Sequence, residues 1–325
     1  MSNNPVVSVI MSVYNESAKW INDSVSSILQ QTYKDFEFII ICDNPQNEGG
    51  IRVLKQFAAN DNRIRLLFND SNIGLTKSLN RGLSISSGKY IARMDADDIS
   101  MPFRLEKQVA YMESHPEVIV CGTQIKLIGN VPFIHSTEWI RSGSDDIKAY
   151  LMFNSCFAHP TVIIRSSKLR EYNLTYDESY RQAQDYRMWE VLCDKGEFAN
   201  LQEKLLLYRI SSAQITRRAN SSSVDNGKKV RRRMVSYWLE KYGLKSERME
   251  DYSIFQLEKV LGKKLGGQYD AYIKTLLKLY YFTNKNNKLG SFIMALVKGR
   301  FFEFSWYERY QFVLISCGLA RNMEF

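Results

Sequence analysis

An α/β fold, with a mostly parallel sheet flanked by helices, is expected for the first two-thirds of this chain, and a helical C-terminal extension for the rest. Three features carry that expectation. Short strands apolar enough to be buried on both faces alternate with helix-length segments. Polar and acidic residues gather just after the strands, and the charge changes sharply near residue 216.

The elements follow in order. Val6–Val13 is a run rich in Val, Ile and Met, followed by a helix over Lys19–Gln31. Phe36–Cys42 is a second apolar strand, with a helix at Ile51–Ala59. Ile64–Phe68 and a helix at Leu75–Ser86 come next, then Tyr90–Met94 and a helix at Arg104–His115. Beyond them, Val118–Ile128 reads as a longer strand, Ser144–Phe153 as a helix with Asp145 and Asp146 in its first turn, and Thr161–Ile164 as a short strand. Asp185–Lys195 has helical spacing, with Met188, Trp189, Val191 and Leu192 available for packing. The polar, Ser/Asn-rich stretch Arg217–Lys228 is the best linker. It divides an α/β domain, 1–216, from a basic, aromatic region, 217–325, with helices at Val230–Tyr242, Ser253–Val260, Tyr269–Thr283 and Tyr307–Leu319.

Composition narrows the class. Five scattered cysteines, none in a CxxC pair, argue against a disulfide framework and against a zinc site, and imply reduced, mostly buried thiols. The polar opening Met1–Pro5 does not read as a leader, and no apolar run approaches the roughly 18–20 residues that span a bilayer, so a cytoplasmic chain is expected. Residues 1–216 hold 23 Lys/Arg against 25 Asp/Glu, whereas 217–325 hold 21 against 10, so the +9 net charge resides in the last third. The partner of that third should be anionic.

In an open α/β sheet, ligands bind beyond the carboxyl ends of the strands. Those ends read Tyr14-Asn15-Glu16, Asp43-Asn44, Asn72-Ile73-Gly74 and Asp95-Ala96-Asp97-Asp98. Three carboxylates within four residues repel one another unless something positive sits among them. Oxygen ligands suit Mg²⁺ or Mn²⁺, whose shell a pair of phosphates can complete. Asp98 also has a plainer reading, as an N-cap of the helix that follows Pro102. Asp185, opening a helix, is either a general base for an acceptor hydroxyl or a carboxylate placed to favour the helix dipole.

Taken together, Ser8-Val9-Ile10-Met11-Ser12-Val13-Tyr14-Asn15-Glu16, the strand end at Asp43, Asn72-Ile73-Gly74-Leu75 and Ser87-Gly88-Lys89-Tyr90-Ile91-Ala92-Arg93-Met94-Asp95-Ala96-Asp97-Asp98 resemble family 2 inverting glycosyltransferases of the GT-A, Rossmann-like fold. His159-Pro160-Thr161-Val162-Ile163-Ile164-Arg165 and Gln184-Asp185-Tyr186-Arg187-Met188-Trp189 resemble the acceptor half of bacterial polysaccharide and O-antigen transferases in that family. The match covers about residues 6–210. No one motif decides it; the ordered set is specific.

The resemblance implies roles. Tyr14 and Glu16 line the nucleotide pocket, Asp43 contacts uracil, Asp95 lies near ribose and diphosphate, and Asp97 holds Mn²⁺ or Mg²⁺. Asp185 is the base of a single displacement that inverts the anomeric carbon of a hexose carried by a UDP-sugar. Lys77 helps neutralise the diphosphate, or is an exposed helix lysine. His159 and Gln184 reach the acceptor or donor sugar, and His159 has packing as its plainer reading; His115 and His135 read as structural or exposed. Many relatives carry a histidine after the tract matching Leu205-Leu206-Leu207-Tyr208-Arg209, where it completes the metal shell. Here Ile210-Ser211-Ser212-Ala213-Gln214 follows, leaving Asp97, phosphates and water for the metal, with Arg209 or Gln214 facing the diphosphate.

The segment from Phe292 to Tyr307 mixes apolar, aromatic and basic residues, as an interfacial helix does, and Lys228, Lys229, Arg231, Arg232 and Arg233 add a basic run. Peripheral docking on an anionic membrane follows, useful for an acceptor on a polyprenyl diphosphate lipid. The plainer alternative packs those aromatics onto the catalytic domain. A nucleic-acid partner fits poorly with the acidic strand edge. Two rival functions stand beside the transferase. A nucleotidyltransferase making NDP-sugars would need a Gly-rich, basic loop where Tyr14-Asn15-Glu16-Ser17 stands. A non-catalytic saccharide-binding scaffold would not need Asp43, Asp95, Asp97 and Asp185 together.

Overall fold

Strand β1 (Val7–Val13) forms the centre of the first half of the molecule, hydrogen-bonded in parallel to β2 (Phe36–Cys42) on one side and β4 (Tyr90–Asp95) on the other. The structure is a computed structural model that describes residues 4–130, 137, 140–180, 182–211 and 221–241. Between the strands run α1 (Ala18–Leu29), α2 (Glu48–Asn60) and α3 (Leu75–Ile85), with β3 (Ile64–Phe68) pairing in parallel to β2. Every residue of β2 is buried, as a strand covered on both faces requires. Helix α1 starts where Ser17 caps it, accepting from the Trp20 N–H, and packs through buried Ile21, Val25 and Ile28 on one face. Full burial of each such side chain contributes about 1.5–3 kcal/mol.

After β4 come β5 (Ile99–Ser100), α4 (Arg104–Ser114), β6 (Val118–Gly129), α5 (Ser144–Tyr150), a 3₁₀ turn (His159–Thr161), β7 (Ile163–Arg165), α6 (Ser166–Glu171), α7 (Gln184–Leu192), β8 (Glu197–Ile210) and α8 (Ser221–Lys241). The eight strands form one sheet in the order β3-β2-β1-β4-β7-β6-β8-β5. Its first four strands are parallel, β7 and β5 run antiparallel to their neighbours, and β6 and β8 pair in parallel. The chain turns back at β1/β4, and the carboxyl ends of β1, β2 and β4 lie together beside that reversal.

The described residues form two compact units. One comprises the sheet and its helices, up to Ser144 and from Phe157 to Ser223; the other comprises Asp145–Cys156 and the chain from Val224. In the second unit, Val230, Met234 and Trp238 form a buried stripe at helical spacing on α8. This helix starts at Ser221, inside the stretch expected to be a linker. Ser and Asn weaken a helix without forbidding it, the stretch has no proline, and the stripe that follows rewards its extension. The 3₁₀ turn and β7 replace the single strand expected at Thr161–Ile164, and no strand was expected where β8 lies. Three exposed residues inside it, Gln202, Glu203 and Lys204, break the alternation that would have announced it. The described cysteines Cys42, Cys121, Cys156 and Cys193 are buried free thiols, as expected. Among the described residues no helix is long and apolar enough to cross a membrane. The expected helices Ser253–Val260, Tyr269–Thr283 and Tyr307–Leu319, the Phe292–Tyr307 segment, His135, Gln214 and Cys317 lie outside the described residues.

Candidate active site

Strand β4 delivers the acidic turn to the carboxyl edge of the sheet. Ser12 of β1 pairs with Asp95, so the turn stands next to the loop that carries Tyr14 and Glu16. Helix α1 holds the turn from one side, through Ser24 Oγ donating to the Asp95 carbonyl at 2.9 Å. Strand β8 holds it from the other. The Arg209 N–H donates to Asp98 Oδ1 at 2.7 Å, Arg209 Nε donates to the Asp97 carbonyl at 2.7 Å, and the guanidinium lies 5.1 Å from the Trp20 ring centroid.

The four carboxylates differ in environment. Asp95 forms an ion pair with Arg93, whose side chain is almost wholly buried. Asp97 is half-buried, and burial, reinforced by the Asp95 and Glu16 carboxylates, pushes its carboxyl up to about 7. Burial also raises Glu16, although the Tyr14 N–H, donating to Glu16 Oε2 at 2.7 Å, opposes that. Asp98 is 1% exposed, its Oδ2 has no partner, and burial followed by repulsion from Asp95 and Asp97 drives it well up. The N-cap alternative for Asp98 does not hold: α4 starts at Arg104, with Phe103 at the cap, and Asp98 is spent on the β8 backbone.

At the end of β2, Asp43 is buried and accepts three hydrogen bonds. Oδ1 takes Asn69 Nδ2 at 2.6 Å and the Ile73 N–H at 2.9 Å, and Oδ2 takes the Gly74 N–H at 2.9 Å. Gly74 sits at φ 87°, which a side chain would resist, and that turn aims its N–H at Asp43. Tyr14 is 42% exposed at the neighbouring strand end, and Lys77 is exposed on α3.

The second half of the chain brings Asp185 to the same region. It is the second residue of α7, whose N-cap, Ala183, is held at φ 62°, an uncommon conformation for a residue with a side chain. Asp185 is half-buried; burial raises its carboxyl, the Asp95 charge adds to that, and the Arg93 charge opposes it. Tyr176 feels the Arg93 and Asp95 charges too, and that of Asp185 itself. Its hydroxyl hydrogen-bonds His159 Nε2 at 2.8 Å, and His159 also lies edge-on to Trp189. Burial and then the Arg93 charge hold His159 well below the usual imidazole range, so it is neutral. Gln184 is buried beside Asp185. His115 lies elsewhere, stacked on Tyr111, in keeping with a structural part.

Asp95, Asp97, Glu16, Asp185 and Arg209 thus converge, Asp43 and Tyr14 stand at the neighbouring strand ends, and Lys77 is exposed on α3 without a contact to them. Arg93 and Tyr176 join them although their residue types and spacing gave no sign of it. Among the described residues no three His, Cys, Asp or Glu side chains form a closed metal cage. One half-buried carboxylate whose proton affinity is raised by its neighbours is still a good partial ligand for Mg²⁺ or Mn²⁺, which commonly bind through one or two carboxylates and substrate phosphates.

The family model described as "Glycosyl transferase family 2" matches residues 8–172. An "Uncharacterized glycosyltransferase" of Haemophilus influenzae is 33% identical over 265 residues, 79% of this chain and 81% of that protein. The "O-antigen biosynthesis glycosyltransferase WbnJ" of Escherichia coli is 37% identical over 213 residues, 63% of this chain and 80% of that protein. Among solved structures, S. aureus TarS 1-349 in complex with UDP-GlcNAc superposes with a TM-score of 0.61 at 14% identity, covering 97% of this chain and 93% of that one. Of a longer S. aureus TarS chain, this chain spans 54%.

Proposed function

The chain belongs to glycosyl transferase family 2 and is a glycosyltransferase, and on that premise we propose that it moves a hexose from a UDP-sugar to a saccharide acceptor with inversion at the anomeric carbon. One observation carries this reading: Asp185 comes within the electrostatic reach of Asp95 and Arg93, although it lies ninety residues further along the chain. A single displacement needs a base on one side of the sugar and a binding site for the leaving group on the other. Separate segments of the chain supply these two parts here.

Tyr14 and Asp43 hold the nucleoside. Asp43, already bonded by Asn69, Ile73 and Gly74, keeps its carboxylate immobile for a base N–H. Glu16 and Asp95 border the ribose and diphosphate, and Lys77 reaches the diphosphate from the rim. Asp97 is the residue that would hold Mn²⁺ or Mg²⁺, whose chemistry is to neutralise charge on the departing diphosphate. Arg209, tied to the Asp97 carbonyl, adds positive charge beside that residue. Asp185 takes the proton of the acceptor hydroxyl, and its raised proton affinity suits that task. Gln184 and His159 border the sugar side.

The region 217–325 forms the membrane-docking part. Its described helix carries Lys228, Lys229, Arg231, Arg232 and Arg233, and the anionic surface it fits would present an acceptor on a polyprenyl diphosphate lipid. The similarity to an O-antigen biosynthesis enzyme supports a place in surface polysaccharide synthesis.

Calorimetric titration of UDP with and without Mn²⁺, on the native protein and on Asp97→Ala, tests the donor site. Metal-dependent binding that disappears in the variant is expected. Absence of UDP binding under both conditions removes the UDP-sugar assignment. Asp185→Asn should keep UDP affinity while lowering transfer by about 10²–10⁴-fold.

A further inference from the structure

Helix α3 connects the two halves of the site. At its start, the Ile73 and Gly74 N–H groups bind the Asp43 carboxylate, and Ser78 Oγ, one turn on, accepts from Asn69 Nδ2 at 2.9 Å. On another face, Thr76 and Asn80 stand four residues apart and so line up along the helix. Thr76 Oγ1 donates to the Tyr180 carbonyl at 3.0 Å. Asn80 pairs with Tyr176 in both directions: Nδ2 donates to the Tyr176 carbonyl at 2.9 Å, and Oδ1 accepts the Tyr176 N–H at 2.9 Å. Nδ2 also reaches Glu178 Oε1 at 3.2 Å.

This reciprocal amide pairing treats the Asn80 side chain as a strand edge. It fixes the stretch 174–180, which is turn and irregular backbone and lies just before α7 and Asp185. Asn173, just before this segment, and Ala183, at the N-cap of α7, both stand at positive φ, conformations the backbone would leave if released. Tyr176 in turn carries the hydrogen bond to His159.

We propose that Asn80 is a positioning residue for this reaction, pinning the stretch just before α7 and Asp185 to the helix that grips Asp43, so that nucleotide binding at one end firms the acceptor side at the other. The inference rests on the reading of Asp43 as a nucleotide contact and of Asp185 as the base. It assigns to Thr76 the second, weaker anchor.

The test is hydrogen exchange of the full chain, read by mass spectrometry over residues 174–187, with and without saturating UDP and MnCl₂. In the native protein UDP should slow exchange there by about tenfold, since local opening is suppressed by whatever binds the closed state. In Asn80→Ala the slowing should fall below about twofold, while calorimetry shows UDP still bound. Asn80→Asp is the second variant should the first fail to fold. It keeps an acceptor for the Tyr176 N–H, loses the donor to the Tyr176 carbonyl and sets a charge beside Glu178, so it too should lose most of the UDP-dependent protection. UDP bound with equal protection in native and variant proteins, or with none in the native protein, overturns the proposal. Failure of UDP to bind the native protein at all overturns it together with the nucleotide reading of Asp43, and the calorimetry distinguishes that case from the others.

Discussion

The Arg209 N–H and Asp98 Oδ1 lie 2.7 Å apart, tying the last long strand to the acidic turn 111 residues earlier in the chain. Asp98 thus anchors the turn to β8. Asp98→Ala leaves a buried N–H without an acceptor and should lower stability by about 1–3 kcal/mol. Asp98→Asn keeps the acceptor oxygen and removes a charge that burial disfavours, so its stability should stay within about 0.5 kcal/mol of the native value. Urea unfolding curves of the two variants check this, and equal losses in both would contradict it.

The nucleotide-free, metal-free protein should become less stable as pH rises. The folded-state proton affinity of Asp97 is raised from an ordinary 3.8 to about 7. Between those values the folded state holds more protons than the unfolded one, so stability falls with rising pH until the folded carboxyl has lost its proton. Glu16 and Asp185 are shifted in the same direction. Melting temperatures from pH 5 to pH 8 should therefore decline, and Asp97→Asn, which cannot ionise, should flatten the slope. Mn²⁺ with UDP should reverse the trend, because metal binding needs the deprotonated carboxylate.

Arg93 is a buried residue, 3% exposed, that pairs with Asp95, while Nε and Nη1 have no hydrogen bond. Removing one partner of such a pair leaves the other charge uncompensated. Arg93→Met strands the Asp95 carboxylate beside Asp97, Asp98 and Glu16 and should lower stability by up to about 3 kcal/mol, read from urea unfolding curves. Transfer should fall at least about tenfold, and the rising limb of the pH–rate profile should move to higher pH, because Asp185 loses a charge that lowers its proton affinity. A variant with unaltered rate and profile would remove Arg93 from the site.

Gly82 lets α3 lie close on the sheet. A Cβ there would stand 2.6 Å from Ile10 Cγ2 and 3.1 Å from Ile41 Cδ1, both on buried strands. Gly82→Ala improves helix propensity but forces the helix off β1 and β2, with a net loss of about 1–2 kcal/mol. Because α3 also carries the Gly74 contact to Asp43, UDP affinity should weaken as well, which calorimetry beside an unfolding curve can show.

The β1–α1–β2–α2–β3–α3–β4 order could be read directly from the chain, because both-face burial forces an apolar run whose residues need no distant partner to be recognised. For the same reason the polar strand ends stood out: Glu16, Asp43, Asp95 and Asp97 each follow such a run immediately. The long strand β8 was harder to see, since its exposed middle, Gln202–Lys204, hides the pattern. Arg93 sits within an apolar strand, and only its burial beside Asp95 shows that a cation belongs to the site.

Local sequence was therefore enough for the parallel half of the sheet and for the acidic edge, because hydrophobic periodicity and strand-end chemistry are short-range properties. Whether Asp185 comes near the acidic turn, and whether Asp98 capped a helix or anchored a strand, turned on which segments meet in space. The reversal at β7, the return of β8 to the acidic turn and the pairing of Asn80 with Tyr176 settle those neighbours. The last two contacts join residues 96 and 111 positions apart, and hydrogen bonding at that separation leaves no local periodicity to be read.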